Sequence, residues 1–320
     1  MKRSTKVSLI AATVLIVLGL GIIAAAFSAA GWELRKFSSS RYITTEQLIT
    51  EDFSKINIDI DTTDIIFFPS EDGNCRIVGY EDEKNTHSFS VKDDTLWVKI
   101  QDMRKWYDHI GINTDSPEIE IYLPKEKYES LYLRGSTGDV NIPGNFSFDE
   151  IDVKLSTGDI GCFASANGAI SLTTGTGGIN IKNISAGDLV LSVTTGKVNC
   201  DNINCSGEFS LRVTTGDAKL SRIKCGSFTS TGNTGDLQMD NLIASDIINI
   251  ERSTGDLNFT SCDGGEIYIL TDTGHVKGSF ASEKIFFAES DTGDIDVPKS
   301  TSGGICEIKT DTGDIEISIE

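Results

Sequence analysis

The 320-residue chain has only three histidines, at 87, 109 and 275, and no Cys-x-x-Cys pair among its seven cysteines. Structural zinc sites draw on closely spaced cysteine and histidine, so the composition argues against one. The cysteines stand at 75, 162, 200, 205, 225, 262 and 306, too scattered for a small disulfide scaffold. Positive charge is scarce as well. Lysine and arginine number 28 against 48 aspartates and glutamates, a formal charge of −20. With Lys2, Arg3 and Lys6 set aside, 25 basic residues face the 48 acidic ones, or −23. Such a surface argues against nucleic acid or anionic lipid as partner. It is compatible with cations or basic surfaces, and its simplest use is solubility and protection of strand edges.

Charge of either sign is absent from Val7 to Gly31. As a helix that run spans roughly 37 Å, enough to cross a bilayer core of about 30 Å with some tilt. A cleaved signal peptide is the alternative, since Ala24-Ala25-Ala26 and Ser28-Ala29-Ala30 offer small-residue sites; its apolar region is usually only about 7–15 residues. The uncleaved anchor is the preferred reading. The positive residues before the run and Glu33 after it place the N-terminus in the cytoplasm and the rest outside. The chain thus divides into a basic tail (1–6), a transmembrane helix (7–31), a linker (32–45), a β cap region (46–127) and a repeat region (128–320). In the linker Ser38-Ser39-Ser40 reads as flexible, with Arg35, Lys36 and Arg41 near headgroups.

What the chain has in abundance is one short stretch, Ser136-Thr137-Gly138-Asp139-Val140, repeated. Its glycines stand at Gly138, Gly158, Gly177, Gly196, Gly216, Gly235, Gly255, Gly274, Gly293 and Gly313, always 19 or 20 residues apart. A threonine precedes every one of them. Aspartate follows at Asp139, Asp159, Asp217, Asp236, Asp256, Asp294 and Asp314, and the worn copies carry Gly178, Lys197 and His275 instead. A fixed period of this length is the signature of a solenoid.

Counted from each glycine, positions +2 and +4 are apolar nearly throughout, as in Val140 and Ile142, Ile179 and Ile181, or Leu237 and Met239. Position +7 is often apolar (Ile184, Ile203, Ile223, Leu242), as are −7 and −5 (Ile151 and Val153, Leu189 and Leu191). Alternation of this kind points one face of each strand inward. Each unit reads as a strand, a Thr-Gly turn, a second strand and a looser return. The prediction is an all-β parallel β-solenoid of about ten rungs, roughly 48 Å long at strand spacing, preceded by one transmembrane helix. Glycine supplies the positive φ of the turn, and the aspartate after it accepts from nearby amides.

If the units stack in step, the threonines form one ladder down an edge. Cys205 and Cys225, both at +9 in adjacent units, would then stack within disulfide range, though parallel side-chain directions suit small core residues better. From 46 to 127 the pattern is strand-like but out of step, with Asp61-Thr62-Thr63-Asp64-Ile65 as a degenerate copy and 102–117 irregular around Trp106, Tyr107 and His109. This region reads as the N-terminal cap. At the other end the chain stops on Ile315-Glu316-Ile317-Ser318-Ile319-Glu320, expected to be an open edge guarded by Asp311, Asp314, Glu316 and Glu320.

Catalytic readings find little. Asp272-Thr273-Gly274, Asp291-Thr292-Gly293 and Asp311-Thr312-Gly313 match the aspartic-protease triplet, but they are copies of one turn stacked along an edge, and that chemistry needs two carboxylates sharing a proton. The aspartate column is a weak candidate for cation binding, lacking the nine-residue units of calcium β-rolls. No cluster of Asp, Arg or Lys stands out as in polysaccharide lyases, and the three histidines read as surface or packing residues. No catalytic residue, cofactor or metal is assigned.

The recurring Ser/Thr-Thr-Gly-Asp-(Ile/Val/Leu) turn resembles the bacterial putative-adhesin family of β-strand-repeat proteins. The stretches Phe53-Ser54-Lys55-Ile56-Asn57-Ile58-Asp59-Ile60 and Ile119-Glu120-Ile121-Tyr122-Leu123-Pro124 strengthen the resemblance, which covers roughly residues 45–320. It implies a membrane-anchored protein and supplies no catalytic residues. Some members resemble components of envelope-stress systems. The expectation is a non-catalytic adhesion or interaction surface at the cell envelope, binding an unidentified protein or cell-surface glycan. The alternatives are a stress-sensing subunit with a membrane partner and, further off, a carbohydrate-active enzyme. Binding is expected where the repeat breaks: 102–117, Gly178, Lys197, His275 and the polar faces between them.

Overall fold

A computed structural model describes residues 3–29, 31–32, 41–105 and 116–320. Trp106, Tyr107 and His109 lie outside the described residues. One helix, Arg3–Ala29, opens the chain; its stretch Ser8–Ala29 is long and apolar enough to cross a membrane, and none of it is buried against the protein. Among the described residues, everything after it is strand, turn or loop.

The repeats stack in parallel, residue for residue. Position −7 makes one continuous buried column, Ile151, Ile170, Leu189, Phe209, Phe228, Ile248, Ile267 and Cys306, each paired with the next across the ladder. Position +2 makes a second from Val140, Ile160, Ile179, Val198, Ala218, Leu237, Leu257 and Val276. No single rung can bury such faces alone; each rung covers the next. The cysteines belong to this interior. All seven are buried free thiols. Asn204 pairs with Lys224, so Cys205 and Cys225 stack between Ala186 and Ala244 as small core residues.

The looser return contains a second corner. At +6, Asn183, Asn202, Arg222, Asn241 and Ser261 all adopt positive φ, between 48° and 58°. Asparagine tolerates this left-handed conformation better than most residues. Two consecutive residues then face away from the core, and alternation resumes at Ile184, Ile203, Ile223 and Leu242.

Both ends depart from the expected plan. Stacking does not begin at residue 128. The strands Lys55–Thr62 and Asp64–Pro69 already form a rung, with Ile56 on Leu131, Thr62 on Thr137 and Ile65 on Val140. Thr63, in the glycine place, is buried. Below it lie Thr95–Asp102 and Glu118–Leu123, and antiparallel strands close the stack: Asn85–Lys92 on one side, Cys75–Asp82 and Tyr42–Ile49 on the other.

At the C-terminal end the last two rungs exchange places. The strand Gly304–Thr312 pairs with Leu257–Thr273 on one side and with Lys284–Thr292 on the other. Likewise Ile315 sits between Val276 and Ile295. The open edge is therefore chiefly the rung of Gly293, where Phe287 and Ile295 are exposed; of the C-terminal strand that rung covers Ile315 and Glu316, and Ile317–Ile319 are paired on one side only. Pro298 gives a physical reason: lacking an N–H, it ends pairing after Ile295–Asp296 and suits an outer position. One of the expected guards is also engaged elsewhere, for Glu320 accepts from the hydroxyls of Ser261 and Ser279. The threonine ladder is continuous, from Thr62 through Thr137 to Thr273, and then runs Thr312 before Thr292.

Candidate ligand groove at the worn corners

Glycine is required at the turn for two reasons that act together. At Gly216 φ is 131°, a region closed to side chains. A Cβ there would also stand 1.8 Å from the carbonyl oxygen of Gly196 in the rung beneath. Sequence reasoning supplied the first reason; the second appears only once the rungs are stacked.

The aspartates are explained by the same stacking. All but Asp294, in the outer rung, offer Oδ1 to the backbone N–H of the corresponding residue one rung on: Asp159 N donates to Asp139 at 2.8 Å, Asp256 N to Asp236 at 2.9 Å, and His275 N to Asp256 at 2.9 Å. Asp64 begins this carboxylate ladder by accepting from Asp139 N. At the worn corner of His275 the imidazole takes the carboxylate's part, Nδ1 accepting from Asp314 N at 3.0 Å. Asp314 in turn accepts from Asp294 N, which repeats the exchanged order of the last rungs. The candidate cation ligands other than Asp294 thus spend one oxygen each on the backbone. Among the described residues no group of three or more His, Cys, Asp or Glu is placed to hold a metal ion.

The ladder fails at Gly178 and Lys197. Gly178 N donates to Asp159, but Gly178 has no carboxylate to pass on. Lys197 has none either and instead reaches Asp217, Nζ to Oδ2 at 3.2 Å. That ammonium, followed by the Asp236 amide, holds the Asp217 carboxyl below its ordinary value of 3.8.

The missing side chains leave a cavity of about 680 Å³ against this corner. Asp139 and Asp159 border it on one side and Lys197 on the other. Gly161 widens it in the next column, where the neighbouring rungs carry the exposed amides of Asn141, Asn180 and Asn199. Phe163 lies half-buried in its wall. Of the predicted residues, the structure thus brings together Asp139, Asp159, Gly177, Gly178, Gly196 and Lys197, while Asp217, Asp236, Asp256, Asp294 and Asp314 continue along the edge away from the cavity. The asparagines, Gly161 and Phe163 were missed. Their signal was the +3 column, asparagine in three of four successive rungs with glycine in the fourth.

The buried thiols are held in their protonated form. Burial pushes the Cys162 and Cys225 thiols up to about 12, far from the thiolate form at neutral pH.

These features define a parallel β-solenoid preceded by one apolar helix. The model of the Toastrack DUF4097 family matches residues 53–211 and 206–320, and the chain belongs to that family. Among solved structures it is similar to a putative adhesin from Parabacteroides distasonis, at 12% identity over 88% of this chain and 98% of that one, with a TM-score of 0.51. A putative adhesin from Bacteroides fragilis (15% identity, 88% and 99% covered, TM-score 0.40) and a putative lipid binding protein from Parabacteroides distasonis (13%, 88% and 98%, 0.49) are also similar. At these identities the likeness concerns the fold alone. No curated protein matches.

Proposed function

We propose that this protein is a non-catalytic, membrane-anchored interaction surface outside the cytoplasm, and that its ligand is a neutral glycan of the cell surface held at the groove of Asp139 to Asn199. The observation that carries this reading is the groove's composition. A half-buried aromatic ring stands among three exposed carboxamides and two aspartates. Aromatic faces pack against the C–H face of a sugar ring, while amides and carboxylates of fixed direction meet its hydroxyls. The formal charge of −20 favours neutral over acidic sugars. Anchoring rests on the helix Arg3–Ala29, with Lys2, Arg3 and Lys6 before or at its start favouring a cytoplasmic N-terminus.

The test is an array of neutral and acidic oligosaccharides probed with the full chain in detergent micelles. Binding confined to neutral glycans and competed by free sugar is the expected result; a folded chain that binds none of them counts against the reading. Anchoring is tested separately. A chain lacking residues 1–31 is expected to leave the membrane fraction, and its continued pelleting with membranes would contradict the anchor.

A further inference from the structure

The inward columns of the solenoid end on a rung that no described strand covers. At −7 and −5 the inner rungs hold Ile267 and Cys306, then Ile269 and Ile308, all buried. In the outer rung the same places hold Phe286 and Ala288, which are only half-buried. At +2 Ile315 is fully buried, whereas Ile295 is 45% exposed. The strand Lys284–Thr292 has one partner, Gly304–Thr312, and Ile295–Asp296 has one, Ile315–Ile319. The far side of each is a row of backbone N–H and C=O groups open to pairing with another chain. The carboxylate ladder ends open as well. Asp236 and Asp314 each accept the amide of the next rung, but among the described residues Asp294 accepts no hydrogen bond.

The outward side of this edge is apolar too. Phe287 and, on the neighbouring strand, Ile305 are exposed, and with Tyr268 they line an open groove of about 500 Å³. Charge around the rung is of one sign. From 284 to 296 the exposed charges are Glu289, Asp291, Asp294 and Asp296. The single cation in that span, Lys284, is buried with its Nζ 2.6 Å from Asp263. Of the four acids only Glu289 pairs with a cation among the described residues, Lys309 Nζ at 3.7 Å. Two copies of the chain meeting edge to edge would set these carboxylates against each other, which disfavours self-pairing.

We propose that this open rung binds an extended segment of a partner protein in which apolar and basic residues alternate, added as one further strand along Lys284–Thr292. Backbone hydrogen bonds hold the segment, and its alternate side chains read the edge. The inward apolar residues cover Phe286 and Ala288. Outward lysine or arginine stems lie along Phe287 and carry their charge to Glu289 and Asp291, while Asp294 is free to accept a further donor at the corner. The site is separate from the glycan groove, none of whose wall residues belongs to this rung.

The experiment adds two fluorescent nine-residue peptides, one alternating valine with lysine and one valine with glutamate, to the full chain in neutral detergent micelles. Anisotropy is expected to show the lysine peptide binding at least about tenfold more tightly, with the preference shrinking as salt rises. The lysine peptide carrying N-methyl groups on its backbone amides is expected to lose at least about tenfold in affinity. Amide hydrogen exchange locates the site: the bound lysine peptide should slow exchange within 284–296. Asp294→Lys combined with Asp296→Lys is expected to weaken the lysine peptide and strengthen the glutamate one. Binding of neither peptide, equal binding of both, full affinity in the N-methylated form, or protection that falls elsewhere would each overturn the proposal. So would protection of 284–296 that rises with chain concentration in the absence of peptide, since a second copy would then be the occupant. Should the double variant fail to fold, the exchange map of the parent chain decides the matter.

Discussion

At the corner of Gly235 the chain keeps every part of the repeat: Thr234 in the ladder, glycine at φ 125°, and Asp236 accepting from the Asp256 amide. At the corner of Gly177 the threonine and the turn glycine remain, but Gly178 has replaced the aspartate and a cavity lies where the carboxylate would stand. Within the Thr-Gly-Asp triplet itself the two corners differ by one side chain. Threonine, glycine and aspartate are thus the means of stacking, and the proposed ligand groove lies where stacking spares one of them. The most repeated residues are architecture; the departures are where function is sought.

The largest effect expected is at an intact corner. Gly216→Val combines a forbidden φ with a Cβ about 1.8 Å from the Gly196 carbonyl. Denaturant unfolding should show a loss of more than about 4 kcal/mol or no cooperative transition. A smaller pair of effects tests the departure at the C-terminal end. Ile308→Ala, buried in the inserted rung, is expected to cost about 2–4 kcal/mol, against under about 1 kcal/mol for Ile295→Ala in the outer rung. The reverse ranking, with Ile295→Ala the costlier, would mean that the rungs stack in chain order. Asp256→Ala removes the acceptor for His275 N and should cost about 1 kcal/mol by the same method.

Smaller still is the titration of Asp217. Its folded pKa is lowered, so the carboxylate's contribution is complete above the ordinary value of 3.8 and is lost as pH falls through the folded value beneath it. Lys197→Met removes the largest cause of that lowering. Carboxyl chemical shifts followed by NMR should show Asp217 titrating at higher pH in the variant, and an unchanged midpoint would refute the assignment.

Much of this was readable from period and residue type, because a solenoid repeats its constraints at a fixed interval. The threonine ladder, the inward columns and the turn glycines all follow from alternation and from the φ that only glycine adopts freely. Three features were not readable, each for a local reason. The corner at +6 is held by asparagine, arginine and serine alike, so no single residue marks it. The exchanged rungs carry the same Asp-Thr-Gly-Asp-Ile at 291–295 and 311–315, so the order of stacking is not written in the turn. The groove depends on which side chains are absent from adjacent rungs, Gly161 beside Gly178, and those are neighbours only in space.

The contrast between kept and lost corners is tested most directly by restoring the lost one. Gly178 lacks the positive φ of the turn glycines, and a Cβ there meets the Lys197 carbonyl at 3.2 Å, a tight but adjustable contact. Gly178→Asp would renew the carboxylate ladder and fill the cavity. Measured side by side with the parent on a glycan that the parent binds, the variant is predicted to stay within about 1 kcal/mol in stability and to lose at least about tenfold in affinity. Undiminished binding by a stable Gly178→Asp chain would contradict the account.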